Sequence, residues 1–252
     1  MFFVCLKFIG LILLALITLW LSLEIIFWIC LVLIGLSINR KKEYTSLNKF
    51  YIFWLYAFYK YMMIHARIRI HVTGVENVPF GTQYLFVSNH RSKFDHMIQS
   101  IILKKQYMAF ISKPENFSIP IANRFIYRCL YLPIDRVNNR EALKTVIKAS
   151  EVLKQGSFSI GVFPEGTRSL DNNVLEYKPG CFKIAMKANA PIIVAVTQGT
   201  EKIKKNAPWK HTDVYVDIIK IIYPDDYKDK TTVDLSNEIY ELTNQFIKNN
   251  IR

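Results

Sequence analysis

The sequence predicts an α/β fold, a mixed sheet flanked by helices and preceded by an N-terminal hydrophobic membrane helix or helical hairpin. Three observations carry this. From Arg67 onward, short apolar runs alternate with helical ones, the pattern of a sheet covered by helices. Ahead of them, residues 1–38 contain only two charged side chains, Lys7 and Glu24. The chain also ends on Leu235, Ile239, Leu242 and Phe246 at helical spacing, which marks one buried face.

The leader is too long for a cleaved signal peptide, whose apolar core runs to about 15 residues at most. As one straight helix, residues 8–38 would measure roughly 46 Å against a hydrocarbon core of roughly 30 Å. Either one tilted helix crosses, or a tight hairpin enters and returns with Glu24 near its bend or in a wet pocket. An ionised carboxylate at mid-bilayer is costly, which keeps the hairpin open as an alternative. Arg40, Lys41 and Lys42 follow at once, and by the positive-inside tendency they place the bulk of the chain on the cytoplasmic face of the membrane.

Residues 39–66 form the second segment. From Leu47 to His65 they read as a helix in which Tyr51, Trp54, Tyr56, Tyr59 and Tyr61 alternate with Lys49 and Lys60. Tyrosine and tryptophan favour the membrane–water interface, so an interfacial helix is expected.

Residues 67–252 are expected to form the α/β domain. Its strands are expected at Ile68–Val72, Tyr84–Ser88, Tyr107–Ile111, Leu130–Ile134, Phe158–Phe163, Ile192–Val196 and Val214–Ile222. Between them helices are expected at Phe94–Leu103, Phe117–Arg128, Arg140–Gln155 and Cys181–Ala188, with the last at Val233–Lys248.

Composition narrows the function classes. The chain is 51% hydrophobic, too apolar for disorder, and carries a net charge of +13. Lys7 and Glu24 cancel, so that whole excess lies beyond the leader, where it suits an anionic membrane surface or phosphorylated substrates. The basic residues are scattered among acidic ones and no nucleic-acid module is present, so no nucleic-acid partner is expected. Four cysteines lie far apart with no C-x-x-C pair, which argues against a disulfide scaffold or a zinc ribbon.

Two motifs sit where strands feed loops, the place where α/β sheets gather reactive groups. The first is Asn89-His90-Arg91-Ser92-Lys93-Phe94-Asp95. Side chains five residues apart point about 140° away from each other on a helix, so His90 must belong to the turn if it is to meet Asp95. The Asp95 carboxylate then fixes the imidazole tautomer while the other ring nitrogen serves as a base. The bland alternative is a helix-capping Asp beside an exposed His. A serine nucleophile elbow is absent, since Gly156-Ser157-Phe158-Ser159-Ile160-Gly161 fails the spacing. No second ligand cluster accompanies His90, Asp95 and His96, so no metal is expected. The second motif is Phe163-Pro164-Glu165-Gly166-Thr167-Arg168. Gly166 permits close approach, Thr167 offers a hydroxyl, and Arg168 presents a fork that fits phosphate.

Together these blocks resemble the PlsC-like family of glycerolipid acyltransferases of the 1-acylglycerol-3-phosphate type, over roughly residues 80–200. The first block is similar to the family's N-H-x-x-x-x-D, which implies His90 as general base and Asp95 as its partner. Leu130 to Arg136, "LYLPIDR", is similar to the second block and implies Arg136 at the acceptor phosphate. The Glu165, Gly166, Thr167 and Arg168 block resembles the third and implies acceptor binding. Lys113 lies where the family often has a lysine, and Ala190 to Val196 resembles the apolar fourth block. Leu130 replaces the glycine that commonly opens the second block, and Val194 replaces a proline of the fourth. The resemblance implies acyl transfer to lysophosphatidate from acyl-CoA or acyl carrier protein, among membrane lipids, without a cofactor. The alternatives are another lysolipid acceptor, or a lipid-binding module without turnover.

Overall fold

The computed structural model describes residues 2–169, 173–250 and 252. Among them the leader is one continuous helix, α1 (Phe2–Leu36), so the hairpin alternative is set aside. From Phe2 to Leu23 every side chain is exposed, about 22 residues and roughly 33 Å of helix, one hydrocarbon thickness. The most apolar window has a mean hydropathy of 2.7 and none of it is buried, so α1 is long and apolar enough to cross a membrane. Its last turns behave differently. Leu31 and Gly35 are buried where α1 meets α4.

Glu24 marks the changeover. Its carboxylate accepts from the Tyr61 hydroxyl at 2.5 Å and lies 3.0 Å from His65 Nε2, both on α2 (Lys49–His65). The charge that favoured a bend in the leader is thus matched from a neighbouring helix. Phe27 stacks on Tyr61 at 4.5 Å beside it. Asn48 starts α2 by accepting from Phe50 N at 2.9 Å, and Leu55, Tyr59 and Met63 form the buried face of the helix.

The sheet has seven strands among the described residues: β1 (Ile68–Thr73), β2 (Leu85–Ser88), β3 (Met108–Ser112), β4 (Leu132–Pro133), β5 (Ser159–Val162), β6 (Ile192–Gln198) and β7 (Thr212–Ile222). Their order is β1-β7-β6-β2-β5-β3-β4, and only the β6–β7 pairing is antiparallel. All residues of β2, β5 and β6 are buried, as expected of parallel strands covered on both faces. The covering helices are α3 (Asp95–Ile102), α4 (Ala122–Arg128), α5 (Asn139–Lys154), α6 (Lys183–Ala188), α7 (Ile203–Asn206), α8 (Pro224–Tyr227) and α9 (Thr232–Asn249). Asn138 caps α5, and a Thr231–Asp234 capping box opens α9.

Three predicted elements are corrected. The helix expected at Phe117–Arg128 divides into a 3-10 turn, Pro114–Ser118, and α4, because Pro120 cannot donate and Ile121 sits at φ 64°. The strand expected at Leu130–Ile134 shrinks to β4, since Leu130 lies at φ 62° and Pro133 has no N–H. The helix expected from Cys181 begins at Lys183, after a 3-10 turn at Pro179–Phe182. The short helices α7 and α8 were not expected at all.

The topology decides where the motifs go. Because β2, β5, β3 and β4 run parallel, the segments that follow them leave from one edge. That edge receives His90 after β2, Lys113 after β3, Arg136 after β4, and Glu165 to Arg168 after β5.

Candidate active site

Residue 90 stands in the turn, and Asp95 is the first residue of α3. The His90 Nδ1 to Asp95 Oδ2 distance is 2.8 Å. The same oxygen accepts from Arg91 N at 2.7 Å and Ser92 N at 2.8 Å. Asp95 therefore folds the turn back on itself instead of capping its own helix. A carboxylate oxygen only accepts, so Nδ1 carries the proton and Nε2 is left with its lone pair. Asp95 is wholly buried, while the His90 side chain keeps 19% of its exposure. The imidazole lies flat on Phe163, 4.1 Å away and 16° from parallel.

The turn is anchored further by Asn89, a role the sequence did not disclose. Its amide donates to Thr197 O at 2.9 Å and accepts from Thr197 N at 2.8 Å, tying the loop to β6. The available signal was a polar amide directly after a fully buried strand. The expected capping alternative for Asp95 fails on this geometry, and a His–Asp pair with one free ring nitrogen results.

Glu165 faces inward. Its Oε1 accepts from His90 N at 2.6 Å and its Oε2 from Leu175 N at 3.0 Å. Burial pushes its carboxyl up to about 7, against the opposing pull of those two backbone bonds and of Arg91. From the same segment Ser169 N donates to His90 O at 2.9 Å. Both polar atoms of the His90 backbone are thus held by residues 165–169. Gly166 sits at φ 71°, and a Cβ there would lie 3.1 Å from the Lys178 chain.

The outward-facing members meet in one cavity of about 640 Å³. His90, Lys113, Arg136, Thr167 and Arg168 are among its polar lining. Lys93, Ser112, Asn116 and the acid Glu115 add further polar groups, and much of the rest is apolar: Phe110 from β3, Ile119 and Phe125 beside α4, Leu55 and Phe58 from α2, and Leu31 from α1. Lys113, Thr167 and Arg168 are exposed, and Arg136 is half-buried. His96 also lines the cavity, and burial lowers its imidazole to about 4, so it is neutral near pH 7. Glu165 does not line it, and Gly166 borders a neighbouring cavity instead. Among the described residues no group of three or more His, Cys, Asp or Glu side chains is placed to hold a metal.

Leu130, where the resembled family commonly has glycine, keeps a left-handed backbone at φ 62°. The turn that delivers β4 and Arg136 thus asks for glycine-like geometry and obtains it from leucine at a cost of about 1–2 kcal/mol.

Known proteins resemble this chain in sequence and in fold. The sequence model of the acyltransferase family matches residues 69–198, from β1 to the end of β6. The chain is 34% identical to the 1-acyl-sn-glycerol-3-phosphate acyltransferase BAT2 of Brassica napus over 67% of its own length and 47% of that protein. It is 30% identical to the 1-acyl-sn-glycerol-3-phosphate acyltransferase of Borreliella burgdorferi over 54% of this chain and 53% of the relative. The chain thus spans about half the length of the curated relatives it matches. In fold it is similar to the crystal structure of the 1-acyl-sn-glycerophosphate acyltransferase PlsC of Thermotoga maritima. The TM-score is 0.64 at 24% identity, covering 87% of this chain and 86% of that one.

Proposed function

This chain belongs to the acyltransferase family, and from that premise we propose that it moves a fatty acyl group from a thioester donor to the free hydroxyl of 1-acylglycerol-3-phosphate, yielding phosphatidate. The observation that carries the reading is the 2.8 Å His90–Asp95 pair on a cavity whose lining joins the cations Lys93, Lys113, Arg136 and Arg168, against one acid, Glu115, among the described residues, to a large apolar surface. A lysophosphatidate has the matching form, a phosphomonoester at one end and a hydrocarbon chain at the other.

The acceptor hydroxyl lies against His90 Nε2, which takes its proton as the oxygen attacks the thioester carbonyl. Asp95 holds the imidazolium that forms, and general-base help of this kind contributes about 10²- to 10⁴-fold. Collapse of the tetrahedral intermediate breaks the C–S bond. The thiolate leaves with the proton returned by His90, so the free thiol and the new ester are the products. Arg136, Arg168 and Lys113 hold the acceptor phosphate, and Thr167 offers a hydroxyl beside them. As proposed, the transfer draws on no cofactor and no metal.

The donor is acyl-CoA or acyl-acyl carrier protein. On this reading membrane lipid surrounds α1 and the catalytic body faces the cytoplasm, which Arg40, Lys41 and Lys42 shortly after α1 support through the positive-inside tendency. The test is direct: purified full-length chain, in liposomes, with lysophosphatidate and each donor. Phosphatidate formation is expected, with much slower turnover of acceptors that lack the phosphomonoester. Failure with both donors, or equal turnover of phosphate-free acceptors, overturns the reading.

A further inference from the structure

A second cavity of about 450 Å³ adjoins the first and shares Ile111, Arg136 and Phe163 with it. Its lining differs in kind. Leu143 and Val146 of α5 supply an apolar side, while Arg136, Lys178 and Lys183 supply three cations. Asn139 adds a side-chain amide. One acid, Asp135, lines it among the described residues, and its Oδ1 is occupied by Val137 N at 2.8 Å and Asn138 N at 2.9 Å. Lys178 and Lys183 are exposed at its rim, and the Lys178 chain passes over Gly166.

Its position matters as much as its chemistry. Phe163 forms part of its wall and carries the His90 imidazole stacked on its ring 4.1 Å away. A molecule in the second cavity is therefore one aromatic ring from the proposed base. The acceptor's phosphate and chain are already matched by the first cavity, so a different reactant is required here. A reactant that combines amide groups, short aliphatic stretches and a phosphate ester fits this lining: an amide, an apolar strip and two cations, Lys178 and Lys183, besides the Arg136 shared with the acceptor.

Resting on the acyl-transfer reading, we propose that the second cavity binds the phosphopantetheine arm of the acyl donor. The thioester then sits at the shared wall of Phe163 and Arg136, next to the first cavity. The phosphate end lies towards Lys178 and Lys183. This arm is common to coenzyme A and acyl carrier protein, and the structure assigns the arm rather than its carrier.

The experiment uses the full-length chain and three donors bearing the same acyl group: the acyl-CoA, the acyl-acyl carrier protein and the N-acetylcysteamine thioester, which lacks phosphate. Lysophosphatidate is the acceptor throughout. Lys178→Glu with Lys183→Glu should raise donor KM about tenfold or more on a phosphate-bearing donor, since charge-assisted bonds are lost and repulsion is added. The KM for lysophosphatidate, and that for the N-acetylcysteamine thioester, should stay within about twofold. The phosphate-bearing donor on which the effect appears identifies the carrier. A second variant, Ala142→Trp, narrows the cavity without altering charge and should raise the KM of the same donor, with folding checked by circular dichroism. Unchanged donor KM in both variants, or an equal rise for all three donors, overturns the assignment while leaving acyl transfer intact. If wild-type protein uses none of the three donors, the acyl-transfer reading and this assignment fall together.

Discussion

Glu165 Oε1 accepts a hydrogen bond from His90 N at 2.6 Å, joining two loops that lie 75 residues apart in the chain. Ser169 N closes the opposite side of the same residue by donating to His90 O. The imidazole is held from its ring side by Asp95 and from its backbone side by the segment after β5. Glu165 therefore holds the backbone of the proposed base and does not line the cavity.

This arrangement gives stability a pH dependence. The Glu165 carboxyl titrates near 4.5 when unfolded and at about 7 in the fold. Between those values the folded chain binds the extra proton, so stability falls as pH rises through this window, by up to about 3 kcal/mol. Glu165→Gln cannot titrate and should lose that slope. Thermal unfolding in detergent from pH 5 to pH 8 reads it. A wild-type curve as flat as the variant's would show that burial does not hold the Glu165 proton.

Asp95→Asn should keep the turn but lose control of the tautomer, because the neutral amide no longer stabilises the imidazolium and its NH2 can donate to Nδ1 in place of accepting from it. A kcat loss of about 10²-fold or more is expected, with KM for both substrates little changed. Stopped-time assays on purified variant check it. An unaltered kcat would reduce Asp95 to a loop-folding role.

Acceptor recognition separates from chemistry at Arg168. Arg168→Ala should cost about ten- to a hundredfold in kcat/KM for lysophosphatidate, the worth of one charge-assisted hydrogen bond. Arg168→Lys retains charge without the planar fork and should fall between. The same variants on an acceptor lacking the phosphomonoester should lose much less. Equal fractional losses on the two acceptors would detach Arg168 from the phosphate.

Gly161 tests the aromatic stack beneath the base. A Cβ there would meet the Phe110 ring at 2.5 Å, Phe110 stacks on Phe163 at 5.6 Å, and Phe163 carries His90. Gly161→Ala should destabilise by about 1–3 kcal/mol through overpacking and should also lower kcat, because the displaced rings move the imidazole. Destabilisation with kcat intact would mean that the stack is packing alone.

The parts of the site visible in the sequence are those decided locally. His90 had to lie in a turn to reach Asp95, and helical periodicity alone says so. Arg136, Arg168 and Lys113 follow strands, and parallel topology then brings them to one edge. What stayed hidden depends on contacts distant in sequence. Glu165 looked like a ligand-facing acid because nothing near it reveals that His90 N and Leu175 N consume both its oxygens. Asn89 is anchored to Thr197, and no local pattern announces that partner. The matched charge of Glu24 hid the continuity of α1 for the same reason, since Tyr61 and His65 lie on another helix. Pro120, which has no N–H to continue a helix, is the local mark of the break before α4. Leu130 could not announce its left-handed φ, because leucine rarely adopts one.

The central claim is that His90 Nε2 takes the acceptor's proton. Its most direct test is kcat of purified His90→Ala with lysophosphatidate and the donor the wild type prefers, alongside binding of both substrates. The account predicts at least about a hundredfold loss of kcat with substrate binding and folding retained. Turnover by His90→Ala at the wild-type rate would contradict it.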